Sequence, residues 1–145
     1  MIKQISAALT LLLTGAICSS PSIANEVEKS QQGQTLFVSS CATCHGVKGK
    51  GDGPVANNLI IKPTDLTTLT NKNSGEFPRQ RVSKYIDGRS VISAHGSREM
   101  PVWGNIFKLQ AIENGILQND KDGLENSIKQ QIDQLVTYIE QLQTP

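Results

Sequence analysis

The chain has 145 residues and carries 14 Lys+Arg against 13 Asp+Glu, a formal charge of +1. With aromatics at only 4% and no basic cluster interleaved with them, the composition speaks against a nucleic-acid binder. Beyond the first residues no apolar run is long enough to span a bilayer, so stable membrane insertion is not expected.

The N-terminus reads as an address. Lys3 supplies a short positive region, residues 5–17 are mainly apolar, and Ser22-Ile23-Ala24 offers the small residues a signal peptidase reads. We therefore expect a cleaved signal peptide over 1–24 and one domain over 25–145, exported to the periplasm. Cys18 is a poor lipid-anchor site, because Gly15 stands where a leucine is needed. Without Lys3 the remaining basic and acidic residues balance. Their distribution does not: residues 48–108 hold ten basic and five acidic side chains, residues 109–145 two and six. A basic belt of this kind can steer an acidic partner, or simply form a solvated face.

Glu26 to Ser40 reads as a helix, with Ser30 as an N-cap or early helical residue. Gly33, Leu36, Phe37 and Ser40 share one side. A glycine inside a helix costs stability relative to alanine, which makes sense where another helix crosses close by. Cys41-Ala42-Thr43-Cys44-His45 follows, the C-x-x-C-H pattern of covalent haem attachment. Each thiol can form a thioether to a haem vinyl group, and the next residue, His45, is placed to ligate the iron. The alternatives are a disulfide or dithiol pair and a zinc site. A dithiol motif usually follows a strand, and none precedes it here. Zinc would need a second ligand pair, and His95 is the one histidine outside the motif.

Residues 46–54 form a glycine-rich loop that fails the phosphate-cradle pattern, because no Lys-Ser or Lys-Thr follows its second glycine. We read it as backbone wrapped over a haem edge, with the Pro54 carbonyl as an acceptor for the second ring nitrogen of His45. Val55 to Ile61 reads as a short helical turn broken at Lys62-Pro63. Thr64 to Gly75 reads as a surface loop. Pro78 to Asp87 reads as a helix closed by Gly88, and 89–99 as an irregular lead-in to Met100.

Pro101 biases Met100 away from helical geometry, which suits a loop that aims one sulfur at iron. Apart from the initiator it is the only methionine. A thioether raises a haem potential, so Met100 is the preferred second axial ligand and His95 its rival. Trp103 reads either as a haem neighbour or as a core residue. A helix from Asn105, closed by Gly115, is expected within the 105–122 segment. From Asn126 onward Ile128, Ile132, Leu135, Ile139 and Leu142 recur at spacings of four and three, an amphipathic helix whose natural partner is the Gly33/Phe37 face. Strict alternation never persists, so strands are not expected.

These features together resemble the class I cytochromes c. The attachment motif ends a first helix bearing Gly33 and Phe37. It is followed by Gly49-Lys50-Gly51-Asp52-Gly53-Pro54, Lys62-Pro63-Thr64-Asp65-Leu66, Met100-Pro101-Val102-Trp103 and a closing helix with Tyr138. The run from His95 to Pro101 also resembles bacterial soluble cytochromes c and cytochrome domains fused to respiratory complexes. The resemblance implies an all-α fold with N- and C-terminal helices crossing near one covalently attached haem c. It further implies a periplasmic electron-transfer role, with Cys41 and Cys44 carrying the thioethers and His45 and Met100 the iron. The long connection over 105–122 departs from the pattern. Three function classes remain: a diffusible electron carrier between respiratory redox proteins, which is not an enzyme; a cytochrome subunit docked permanently to a dehydrogenase or oxidase; and a haem enzyme or gas sensor with a labile sixth ligand.

Overall fold

The computed structural model describes residues 21–90 and 100–144; the leader read over 1–24 lies outside them up to residue 20, and His95 lies outside them altogether. Helices are the only regular secondary structure among the described residues, with no strand. Five α-helices follow in order: α1 (Pro21–Ser40), α2 (Ala42–His45), α3 (Arg79–Asp87), α4 (Trp103–Glu113) and α5 (Lys121–Gln141). Three short 3-10 turns, Ala56–Asn58, Leu66–Thr68 and Asn71–Asn73, lie between α2 and α3.

The frame is the crossing of α1 and α5, the most extensive helix pair, with α4 and α3 also packed on α5. The repeating stripe of α5 becomes its buried face: Leu124, Ile128, Ile132, Leu135, Val136 and Ile139 are all buried. Each such side chain contributes roughly 1.5–3 kcal/mol relative to an exposed position. Gly33 is the crossing point. A methyl group there would stand 2.7 Å from the backbone carbon of Gln134 and 2.9 Å from the Tyr138 Cβ. One turn on, Phe37 is fully buried and its ring meets that of Tyr138 at 5.3 Å.

Several elements differ from the sequence reading. Ser30 is no cap: it lies inside α1, buried, and its hydroxyl bonds Gln141 at the far end of α5. The segment 64–75 is more than a surface loop. Asp65 caps its first 3-10 turn by accepting from the Thr67 N–H at 2.8 Å, and Thr67 is buried. The C-terminus seals it, with the Gln143 amide donating to the Leu66 carbonyl at 2.7 Å and the Thr144 N–H to that of Thr67 at 3.0 Å. Its polar side chains serve as partners rather than as solvated decoration. The helix expected from Asn105 is present as α4; it begins two residues earlier, at Trp103, ends at Glu113 ahead of Gly115 with φ 98°, and buries Phe107 and Ala111. Likewise α5 starts at Lys121 rather than Asn126, because Asp120 caps it by accepting from the Gly123 N–H at 2.9 Å. Gly88 closes α3 with φ 68°, as expected of a C′ glycine.

Candidate functional site

Cys41 follows directly on α1, and its N–H donates to the Phe37 carbonyl at 2.8 Å, so the motif continues the first helix. Cys44 and His45 complete the single turn of α2: their N–H groups both donate to the Cys41 carbonyl, at 3.1 and 2.9 Å. The two cysteines are free thiols, Cys41 buried in the main apolar cluster and Cys44 partly exposed. Burial, aided by the neighbouring Cys44, pushes the Cys41 thiol up to about 12.

The glycine-rich loop then folds back over the motif. Gly51 donates to the His45 carbonyl at 2.8 Å, Gly53 to Cys44 at 3.1 Å and Val55 to Thr43 at 3.2 Å. At Gly53 a methyl group would lie 2.6 Å from both the Ala42 oxygen and the Cys44 carbonyl carbon, so the backbone lies flat on the motif.

The ring of His45 is fixed, but not by Pro54. Its Nδ1 lies 3.0 Å from the carbonyl oxygen of Thr64. The reason is the pairing of loop segments: Leu66 donates to the Gly49 carbonyl at 2.7 Å, which draws residues 63–66 alongside the motif. Burial lowers the His45 pKa, and the Thr64 carbonyl only partly opposes this, which favours the neutral ring. With Nδ1–H donating to Thr64, the lone pair is on Nε2, which has no hydrogen-bond partner among the described residues. Thr64 was missed in the sequence because an acceptor carbonyl carries no residue signature.

Met100 occupies a bend just ahead of α4, partly buried, and packs against the same apolar cluster that contains Cys41. Leu69, Phe77, Val82 and Trp103 pack there too and stay partly exposed. Trp103 leans on Phe107 with ring centroids 5.8 Å apart. These residues border the apolar cluster to which Cys41 belongs.

The donor set suits a flat apolar macrocycle with a central metal: two thiols one turn apart, an oriented nitrogen with a free lone pair, and an apolar cluster that takes in Cys41. It does not suit a bare ion, since among the described residues no group of three or more His, Cys, Asp or Glu converges to hold one. No helix of the described residues is long and apolar enough to cross a membrane.

Compared with known proteins, residues 30–143 match the family model described as Cytochrome c. No curated protein and no solved structure matches the chain.

Proposed function

Since the chain belongs to the cytochrome c family and so carries a covalently bound haem c with its iron, we propose that it is a periplasmic one-electron carrier built on residues 41–45 and Met100. Cys41 and Cys44 would hold the haem by thioethers, and His45 Nε2 and the Met100 thioether would ligate its iron. When bound, the haem supplies a reversible one-electron couple. The chain's own residues do the rest. Thr64 orients the imidazole and makes it a better ligand. Leu69, Phe77, Val82 and Trp103, packed on the same apolar cluster as Met100, would help to keep water from the group. An iron held by both side chains would leave no place for substrate, which suits a carrier rather than an enzyme.

The observation that carries this reading is the His45 ring, clamped through Nδ1 by Thr64 beside two free thiols with Nε2 left open. The leader over 1–24 would deliver the chain to the periplasm, with cleavage after Ala24. The basic excess between residues 48 and 108 supports an acidic redox protein as partner, met either in solution or in a standing complex.

The test is acid-acetone extraction of protein made with working haem-ligation machinery. The haem of the native chain stays with the protein. In the Cys41→Ala/Cys44→Ala variant it is extracted; haem that remains covalently attached there contradicts the assignment.

A further inference from the structure

Three helices meet on Arg89. Its Nε lies 2.6 Å from Asp87 Oδ1 and its Nη2 3.1 Å from Asp87 Oδ2. On the other side Nη1 and Nη2 reach Glu125 Oε1 and Oε2 at 2.5 and 3.0 Å. One guanidinium thus grips two carboxylates, each by two hydrogen bonds, the geometry for which arginine is suited and lysine is not. Asp87 is the last residue of α3 and Glu125 lies in the second turn of α5. The Arg89 and Asp87 side chains are each only 26% exposed.

The third helix enters through Gly104, in the first turn of α4. A methyl group there would stand 2.6 Å from Arg89 Nε and overlap the Asp87 carboxylate. The backbone of α4 is therefore seated on the clasp itself. Arg89 precedes Met100 by eleven residues and Gly104 follows it by four, so the chain is pinned to one charged cluster on both sides of Met100.

The clasp could simply tie α3 to α5, but those two helices are already joined elsewhere. Arg79 joins α3 to α5 by bonding Asp133 at 3.1 Å, Thr137 at 2.8 Å and Glu140. Among the described residues, no hydrogen bond or ion pair of that second cluster reaches residues 100–110. A neutral thioether binds only as well as the chain delivering it is held, because ordering a loose segment costs conformational entropy at each residue.

We infer that the Asp87–Arg89–Glu125 clasp, seated on Gly104, is the positioning element that keeps Met100 on the haem iron. This rests on Met100 being the second axial ligand. Loosening the clasp leaves the haem attached but makes that position exchangeable.

The test is cyanide binding to the oxidised holoprotein at saturating cyanide, where the rate is set by departure of the thioether. Glu125→Gln and Gly104→Ala each raise this rate about five- to tenfold, the range expected for partly exposed charged hydrogen bonds. Asp133→Asn, which breaks the other cluster, lowers thermal stability but leaves the rate within about twofold of the native value. The inference is overturned if Glu125→Gln leaves the rate at the native value, or if Asp133→Asn raises it equally, which would mark a general loosening. A native protein that lacks the weak red band of iron–thioether ligation overturns the Met100 assignment and the clasp together. A native protein that shows the band, with variants that do not respond, overturns the clasp alone.

Discussion

The Nδ1 atom of His45 lies 3.0 Å from the Thr64 carbonyl oxygen, nineteen residues away in the chain. That contact depends on how closely residues 63–64 approach the glycine-rich loop. Gly51 sets the approach: it has φ +77°, and a methyl group there would overlap the Pro63 oxygen and lie 3.4 Å from the Thr64 carbonyl carbon. Gly51→Ala must hold a left-handed conformation and push the Thr64 strand of chain away. We expect a loss of about 2 kcal/mol. Thermal unfolding of the oxidised holoprotein should then show a midpoint lower by about 6 °C or more. An unchanged midpoint would mean that the loop yields without disturbing the histidine.

The helix crossing makes a second prediction, in which two effects oppose. Gly33→Ala improves intrinsic helix propensity by about 1 kcal/mol. It also forces a methyl group against the Gln134 backbone of α5, and overpacking against backbone costs about 3 kcal/mol or more. The second effect wins, for a net loss of about 2 kcal/mol, read as a lower guanidinium midpoint with an unchanged slope.

A third concerns acid. Burial alone would raise the Asp133 pKa, but hydrogen bonds from Lys29 and Arg79 outweigh it and hold the carboxyl below its usual range. A depressed carboxylate contributes stability above its unfolded value of about 4 and loses it as pH falls through the lower folded value. The side chain is 49% exposed, so after solvent screening the contribution is about 1 kcal/mol or less. Asp133→Asn should therefore unfold more easily than the native protein at pH 7. The difference should close as the pH falls below about 4 and through the lowered folded value. A gap that persists in acid would assign the effect to packing.

Met100 provides the fourth. On the proposed ligation, Met100→Ala would remove a thioether that raises the potential. The midpoint potential should fall, and the reduced protein should bind carbon monoxide that the native protein excludes. An unchanged potential without gas binding would transfer the ligand role to His95.

What could be read from the chain alone followed from residues whose cost demands a reason. A glycine inside α1, one turn before Phe37, announces a close crossing, and the α5 stripe names its partner. The C-x-x-C-H motif states its own chemistry. Helix α4 was harder to see because Leu109, on its exposed side at 62%, blurs the apolar period set by Phe107 and Ala111. The start of α5 was hidden by Gly123, a poor helix former tolerated beside the Asp120 cap. Thr64 displaced Pro54 as the imidazole acceptor through backbone pairing between distant loops, which any residue type can make. The Arg89 clasp joins residues 36 apart through side-chain reach alone, and spacing does not reveal such pairs.

Tandem mass spectrometry of the peptide spanning residues 41–45, from protein matured in cells with working haem-ligation machinery, bears most directly on the account. One haem carried by that peptide, with Cys41 and Cys44 both consumed and resistant to alkylation, is the result expected. A peptide of unmodified mass whose two cysteines alkylate freely, or are joined only to each other, would contradict it.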